Sequence, residues 1–311
     1  MANNEFDLMV VGSGPAGLTA AIYGSRLGLG VVVFGDTPGG NLVKIVHVPS
    51  YPGFVGGVAG AQLGAMMFSQ AQSEGALLTL AQLDKLTYGD NNFLGITETG
   101  EEYRALAVIV ACGVVPNRLS VPNSDMRGIY YCSLCDGPLF RNKDATLAVI
   151  GGGNMAAHEA LSLAPFGKRI IMIHRGASLR TEAALTKAIA ATANIEVLLN
   201  AKVISFGGDE QIDRVTVSLP GQGKVDIPVN GVFVAIGWGA DLGIIKLPVE
   251  TTLEGFLKTD SKLMTSVPGL FAAGDVRDTD LRQIVTACAD GARAANYAAE
   301  FIRKTAKKRQ S

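Results

Sequence analysis

Short apolar runs that end at glycine recur along the chain and predict buried parallel strands. The first run, residues 6–11, leads into Gly-Ser-Gly-Pro-Ala-Gly at 12–17, and the apolar positions of residues 18–27 then recur with the period of a helix. Residues 31–34 (Val-Val-Val-Phe) predict the next strand. Strand, glycine turn, helix and strand in this order are typical of a βαβ unit that binds a dinucleotide.

The same order of elements returns in the middle of the chain. An apolar run at 147–150 meets Gly-Gly-Gly-Asn-Met-Ala at 151–156, followed by a helical pattern through residue 164 and a strand at 169–173. The pattern therefore predicts an α/β fold with two Rossmann-like dinucleotide-binding domains.

The remaining elements suggest how these two domains are connected. Further strands are predicted at 104–111, 231–236 and 270–275, and a helix at 283–301. We expect the last strand and helix to return to the first domain, so that the second domain is an insertion. The predicted bounds are 1–114 and 241–311 for the first domain, and 115–240 for the inserted domain.

Length and charge narrow the class of protein. The 311 residues correspond to about two domains of roughly 150 residues. The 27 basic and 28 acidic residues give a net charge of −1, so no overall field favours nucleic acid or anionic lipid as a partner. No basic leader and no apolar stretch of about 20 residues is present, which predicts a cytoplasmic protein without a membrane partner.

The first glycine motif has the residues that a pyrophosphate needs. Gly12 permits the tight turn, Gly14 lets the backbone approach the phosphates, and Gly17 lets the helix pack close to the strand. Asp36 is near the expected position of a carboxylate that binds a ribose hydroxyl, although Gly35 occupies the strand end itself. The sequence leaves open whether Asp36 binds the cofactor.

Cys132-Ser-Leu-Cys135 is the second chemical feature of the chain. In a reducing compartment this spacing is more often catalytic or metal-binding than a structural disulfide. Asp136 follows directly and suits a proton donor and acceptor for a dithiol, or alternatively a turn or helix cap. The other possible zinc ligands are scattered and predict no metal site: His47, His158, His174, Cys112 and Cys288. We interpret the two lone cysteines as buried small apolar residues.

Six motifs together closely resemble the low-molecular-weight thioredoxin reductase family in order and spacing, over nearly the whole chain. Their residues are 12–17, 38–41 (Pro-Gly-Gly-Asn), 51–54 (Tyr-Pro-Gly-Phe), 131–137 (Tyr-Cys-Ser-Leu-Cys-Asp-Gly), 151–154 (Gly-Gly-Gly-Asn), and 271–276 (Phe-Ala-Ala-Gly-Asp-Val) with 282–287 (Arg-Gln-Ile-Val-Thr-Ala).

The resemblance implies an FAD-dependent disulfide oxidoreductase that is a homodimer. Cys135 would face the flavin, Cys132 would attack the disulfide of a thioredoxin-like partner, and Asp136 would handle the protons. The inserted domain would rotate to present the cysteine pair and a pyridine nucleotide to the flavin in turn. The implied FAD-binding residues are Gly12, Gly14, Pro15, Ala16, Gly17, Asp36, Gly40, Asn41, Gly113, Gly274, Asp275, Arg282, Gln283 and Ile284.

The second nucleotide site departs from the family pattern. Gly176 replaces one of three arginines that hold the 2′-phosphate of NADPH, and Trp238 replaces a histidine. The second nucleotide is therefore either NADPH or a second FAD, and Trp238 either stacks on its planar ring or packs in the core. The implied residues are Gly151, Gly153, Asn154, Met155, His174, Arg175, Arg180 and Trp238.

These departures leave several functions open. A nicotinamide-independent enzyme could be reduced by ferredoxin or another flavin, and the basic segment 303–309 could steer such an acidic partner or be only a solvated helix end. Another alternative is a small-molecule dithiol oxidase that passes electrons to oxygen. A third is a flavoprotein that senses redox state without catalysis.

Overall fold

The chain forms two compact units, Met1–Val115 with Gly239–Ser311, and Pro116–Trp238. The computed structural model describes residues 4–45, 47–48 and 50–310, and the side chains of residues 134, 135 and 308–310 lie outside that description. Parallel sheets with covering helices confirm the predicted α/β fold with two Rossmann-type units. Within the described residues, every helix is too short or too polar to cross a membrane.

Within the described residues, the first pass of the chain through the first unit gives seven strands and two α-helices. They are β1 (Glu5–Val11), α1 (Pro15–Arg26), β2 (Val31–Phe34), α2 (Gly60–Ser73), β3 (Leu77–Thr79), β4 (Leu83–Gly89), β5 (Asn92–Thr97), β6 (Glu102–Val110) and β7 (Val115–Pro116).

The second unit contains two sheets and three helices. Its elements are β8 (Ile129–Tyr130), α3 (Ser133–Asp136), β9 (Thr146–Ile150), α4 (Asn154–Leu163), β10 (Arg169–Ile173), α5 (Ala183–Ala191), β11 (Ile195–Leu198), β12 (Lys202–Gly207), β13 (Arg214–Leu219), β14 (Gly223–Pro228) and β15 (Gly231–Val234). The chain then passes through β16 (Trp238–Gly239), which pairs with β7, and ends with β17 (Leu270–Ala272) and α6 (Ile284–Gln310).

Each unit is organised around a mainly parallel sheet. The first sheet has the order β3-β2-β1-β6-β5-β4, and β17 pairs with β6. The second has the order β11-β10-β9-β15-β8, and β12 to β14 form a separate antiparallel sheet. The pairing of β17 with β6 is parallel, so the returning segment extends the first sheet as the sequence led us to expect.

Continuous apolar runs form these strands because both faces of each parallel sheet are covered. In β1, Leu8 and Val10 belong to one core cluster, whereas Met9 and Val11 belong to the cluster on the opposite face. Strand β9 divides in the same way between the two clusters of its unit. A strand buried on both faces cannot alternate apolar and polar residues, which explains the pattern along the sequence.

Helix α6 packs directly on α1. A Cβ atom at Gly291 would lie 2.1 Å from the carbonyl oxygen of Ala16, so the two backbones approach closely only because this position is glycine. The helix continues beyond the predicted end at residue 301, where Lys304 Nζ donates to Glu300 Oε1 at 2.6 Å. Such i,i+4 pairs and good helix formers extend an exposed helix past its apolar stripe.

Candidate active site

A cavity of about 570 Å³ opens in the first unit at the carboxyl ends of β1, β2 and β6. Open α/β sheets bind ligands at this edge. The cavity wall contains most of the residues that the sequence assigned to FAD: Gly12, Gly14, Pro15, Ala16, Asp36, Gly40, Asn41, Gly113, Asp275, Arg282, Gln283 and Ile284. Gly17 and Gly274 do not line it but lie beneath the wall, against other backbone or side-chain atoms.

Close packing explains the glycines of the first turn. Gly12 has a φ of 115°, and a Cβ there would lie 2.3 Å from the carbonyl oxygen of Ala111. A Cβ at Gly17 would lie 1.8 Å from the carbonyl oxygen of Gly12. At Gly14 nothing lies within 4 Å of that position, so the backbone faces open space at the start of α1. This turn therefore presents bare backbone to the cavity, as a phosphate site requires.

Asp36 lies on the cavity wall with both carboxylate oxygens engaged. Thr37 Oγ1 donates to one oxygen at 3.0 Å, and Gln82 Nε2 donates to the other at 2.5 Å. Gly35 directly follows β2 and has to be glycine, because a Cβ there would lie 2.3 Å from Ser13 Oγ in the glycine turn. The first acidic residue after the strand, Asp36, therefore comes one position later than the residue that directly follows the strand.

The loop at residues 40–44 is fixed to the opposite wall. Gly40 has a φ of 55°, in the left-handed region, and begins a short 3₁₀ helix. Asn41 Nδ2 donates to the carbonyl oxygen of Val114 at 2.9 Å, directly after Gly113. This bond joins two parts of the predicted FAD site that are far apart in sequence.

A third wall comes from the segment between β17 and α6. Burial raises the pKa of Asp275, and the Arg282 guanidinium opposes this rise. Arg282 Nε donates to the carbonyl oxygen of Asp275 at 3.4 Å, and its guanidinium lies 4.1 Å from the centre of the Phe256 ring. Phe256 was absent from the sequence predictions because its contact depends on a loop that no motif identifies.

Asp290 on α6 is a second residue that the sequence analysis missed. Its Oδ2 accepts hydrogen bonds from the backbone N–H of Gly274 at 3.2 Å and from Arg277 Nη1 at 3.1 Å. Both side chains of this ion pair are largely buried. The carboxylate therefore fixes the backbone that carries Asp275.

The two lone cysteines lie near this cavity and are half-buried. Burial raises the pKa of Cys112 to about 12, and its Sγ lies 3.7 Å from the carbonyl oxygen of Asp241. Cys288 Sγ lies 3.8 Å from Tyr51 Oη, whose pKa burial raises to about 12. A thiol that stays protonated is a poor nucleophile, so Cys112 is unsuited to disulfide chemistry.

The second glycine turn has the same tight backbone as the first. Gly151 has a φ of 151°, and a Cβ there would lie 2.2 Å from the carbonyl oxygen of Ala235. Gly153 has open space at that position, and α4 begins at Asn154. Two hydrogen bonds join Asn154 to Glu182. Asn154 Nδ2 donates to Glu182 Oε1 at 2.9 Å, and the backbone N–H of Glu182 donates to Asn154 Oδ1 at 2.8 Å. The carboxylate of Glu182 therefore lies beside the turn.

His174 lies behind this turn, with 5% of its surface exposed. A Cβ at Gly152 would lie 2.2 Å from its Nδ1, and one at Gly176 would lie 2.7 Å from its Nε2. Burial lowers the pKa of His174, and Arg180 and Arg175 lower it further. The imidazole is therefore a neutral packing group, whereas both arginines are exposed.

Two other predicted residues of the second site differ in exposure. Trp238 is 39% exposed, so it is not a core tryptophan. Gly237, with a φ of 109°, precedes it. Met155 is partly buried and packs against the core below α4. Trp238 is therefore the more accessible of the two.

The cysteine pair lies at α3. Cys132 is disulfide-bonded, and the side chain of Cys135 lies outside the described residues. The backbone N–H of Asp136 donates to the carbonyl oxygen of Cys132 at 3.0 Å, and burial raises the pKa of the Asp136 carboxyl. Asp136 precedes a short 3₁₀ helix without a side-chain capping bond, so its alternative role as a cap is not observed. The described residues contain no cluster of three or more potential metal ligands.

The chain is similar to known proteins over most of its length. The family model described as pyridine nucleotide-disulphide oxidoreductase matches residues 6–291. The chain is 38% identical to a thioredoxin reductase of Yarrowia lipolytica over 93% of this chain and 95% of the relative. It is 34% identical to a thioredoxin reductase of Treponema pallidum over 96% and 97% of the two chains. Among solved structures, Lactococcus lactis thioredoxin reductase aligns with a TM-score of 0.85 and 30% identity, over 96% of this chain and 99% of that chain.

Proposed function

Since this chain belongs to the pyridine nucleotide-disulphide oxidoreductase family, we propose that its Cys132 and Cys135 form the dithiol that reduces a protein disulfide such as that of thioredoxin. The chain is a thioredoxin-reductase-like, FAD-dependent disulfide oxidoreductase. Its family binds FAD, with NADPH as the usual second nucleotide. The observation that carries our proposal is a Cys-Xaa-Xaa-Cys-Asp segment in a chain that also has a cavity lined by most of the residues assigned to FAD.

The residues of the first unit fit FAD. Bare backbone at Gly12 and Gly14 suits the pyrophosphate, and the cavity of about 570 Å³ is of the size that small-molecule cofactors occupy. Asp36 and Arg282 both line this cavity, so Asp36 would accept from a ribose hydroxyl and Arg282 would contact the remainder of the cofactor. When bound, the flavin supplies two-electron redox chemistry.

Thiol–disulfide exchange accounts for the proposed role of the cysteines. The Cys132 thiolate attacks one sulfur of the partner's disulfide, which forms a mixed disulfide and releases the other sulfur as a thiolate. The Cys135 thiolate then attacks the sulfur of Cys132, which forms the enzyme's disulfide and releases the partner's second sulfur as a thiolate, so that the partner becomes a dithiol. The raised pKa of Asp136 suits it to give a proton to the departing thiolate.

We further propose that NADPH is not the efficient electron donor. Gly176 supplies no guanidinium for a 2′-phosphate, and the buried His174 ring occupies the space that a side chain at 176 would enter. The Glu182 carboxylate beside the second glycine turn adds a negative charge near the position of a pyrophosphate. The missing guanidinium favours a donor without a 2′-phosphate, such as reduced ferredoxin or another flavin, including a second FAD in this unit, whereas the Glu182 charge counts against any bound dinucleotide.

The partners are also part of this proposal. The exposed basic side chains of Arg303, Lys304 and Lys307 suit an acidic donor protein, although Lys304 is already paired with Glu300. The side chains of residues 308 and 309, also part of the predicted basic segment, lie outside the described residues. A homodimer is expected from the family. Size-exclusion chromatography with light scattering tests the homodimer, and salt-dependent reduction kinetics test the acidic donor.

Anaerobic turnover tests the central proposal. Purified flavoprotein is mixed with oxidised thioredoxin and, in turn, NADPH, NADH, reduced ferredoxin or dithionite, and new thiols are measured. Cys132→Ser and Cys135→Ser should abolish thiol formation and retain the yellow flavin, whereas the matched Cys288→Ser should remain active. Full activity of either variant in the pair would disprove the proposed role.

An aerobic version of this assay distinguishes the dithiol oxidase, and the series of donors distinguishes the possible electron donors. Oxygen consumption with a small dithiol, without thioredoxin reduction, would instead indicate the dithiol oxidase. Rapid turnover with NADPH would refute our proposal about the donor. Mass spectrometry of the nucleotides released from the purified protein would identify any second cofactor.

A further inference from the structure

A hydrogen bond within the second unit joins the cysteine segment to α4. The Oε2 atom of Glu159 accepts the backbone N–H of Ser133 at 2.6 Å. Ser133 directly follows Cys132 and is only 1% exposed, so its N–H has little access to water. Hydrogen bonds to a carboxylate are short and about twice as strong as neutral ones. Glu159 therefore holds the peptide that carries the redox pair.

Glu159 also places a second carboxyl group beside this segment. Burial raises its pKa, the hydrogen bonds from Ser133 and the nearby His158 oppose the rise, and Asp136 adds to it. The two carboxyl groups come from different helices, Glu159 from α4 and Asp136 from α3. Tyr130 is a further titratable group near Asp136.

We propose that Glu159 is a positioning residue that fixes the peptide between Cys132 and Ser133 and makes the redox pair more strongly reducing. A negative charge close to the pair disfavours the thiolate form of the dithiol. A reduced form that is less stable gives up its electrons more readily, just as stabilisation of the reduced form makes a disulfide a strong oxidant. This inference rests on the proposed redox role of Cys132 and Cys135.

The charge also suits the direction of the reaction. A pair that reduces other disulfides needs a potential low enough to drive electrons to its partner. In α4, Ala156, Ala160 and Leu163 are buried, and Glu159 is an acidic residue adjacent to this apolar stripe. The hydrogen bond that its carboxylate accepts from the Ser133 N–H explains why position 159 is acidic.

Equilibration of the intact flavoprotein with glutathione tests the inference. In this exchange the protein disulfide and two glutathiones yield the protein dithiol and one glutathione disulfide. The fraction of dithiol is measured by alkylation and mass spectrometry under anaerobic conditions. Glu159→Gln keeps a side-chain oxygen that can accept the Ser133 bond but removes the charge. We expect it to shift the equilibrium about tenfold toward the dithiol, which corresponds to about 30 mV for two electrons.

A matched variant and a second measurement separate charge from folding. Glu196→Gln, in an exposed pair with Arg169 in the same unit, should leave the equilibrium unchanged. Glu159→Gln should also lower the pH at which the reduced pair reacts with iodoacetamide, while its melting temperature stays near that of wild type. Glu159→Ala should show the same redox shift with a lower melting temperature, because the N–H of Ser133 then has no acceptor.

Failure of the inference and failure of the proposed function give different results. If the pair is reduced by glutathione in wild type, and Glu159→Gln gives the same equilibrium and the same alkylation profile, the inference about Glu159 is wrong. If Cys132→Ser still reduces thioredoxin at the wild-type rate, the proposed function of the pair is itself wrong.

Discussion

Replacement of Asp290 with alanine is expected to destabilise the first unit strongly. The carboxylate is the acceptor for the N–H of Gly274 and for the Arg277 guanidinium, through the same Oδ2 atom. The side chains of Arg277 and Asp290 are only 18% and 11% exposed. Alanine would therefore leave a buried cation and a backbone donor without this acceptor.

The burial of this ion pair determines how large a loss in the free energy of unfolding is expected. Removal of one partner from a buried ion pair typically costs about 3–5 kcal/mol, because the remaining charge stays buried. We expect a loss of this size in the free energy of unfolding of the first unit. Asp290→Asn should cost about 2 kcal/mol, since an amide oxygen still accepts the Gly274 bond but without a charge for Arg277.

Urea unfolding followed by the increase in flavin fluorescence on release measures this loss. The two units need separate probes because a chain with two domains is not expected to unfold in one step. Glu300→Ala on the same helix removes exposed pairs with Lys304 and Lys262 and should leave the midpoint nearly unchanged. A loss of less than about 1 kcal/mol for Asp290→Ala would show that water or other groups replace the carboxylate, and would refute the reasoning.

Three further predictions concern the second unit. Burial raises the pKa of Asp136, so a rate that needs its proton should fall as the pH rises through that pKa. Asp136→Asn should remove this fall from the pH–rate profile. An unchanged profile would contradict the proton-transfer role. Gly176→Arg should lower the melting temperature because its Cβ would press on His174. It should improve NADPH affinity by about one to two decades in calorimetry only if the missing guanidinium is the sole obstacle. A ligand whose planar ring stacks on the exposed Trp238 should quench the fluorescence of this tryptophan. Trp238→Ala should weaken binding of that ligand, because offset stacking contributes about 0.5–1.5 kcal/mol. Ligand binding without any fluorescence change would exclude the contact.

The sequence predicted those parts of the fold that depend on local patterns. Both glycine turns and their parallel strands follow from continuous apolar runs and from positions where a Cβ would collide with backbone, as at Gly12 and Gly151. The β4–β5 hairpin and the antiparallel sheet of β12 to β14 were not predicted. These strands of six or seven residues have one face toward solvent, so they lack the continuous apolar runs on which the predicted strands were based.

Residues that act through distant contacts were the hardest to identify. Asp290 bonds to a residue sixteen positions earlier, and Glu159 to one twenty-six positions earlier. One signal was nevertheless present in the sequence. Asp290 lies at helical spacing between Ala287 and Ala294, both buried, so it is an acidic residue on an apolar stripe. Such a residue needs a partner, but helical periodicity does not say which one.

The contact between α1 and α6 also determines when the cofactor cavity can form during protein synthesis. Pro15 and Cys288, which meet at this contact, are separated by 273 residues. The second unit is continuous in sequence and can fold as soon as it has left the ribosome, because domains generally fold as units during translation. The first unit must wait for β17 and α6. The nascent chain therefore carries a folded middle section before it has a complete flavin site, and it acquires FAD only after α6 has emerged.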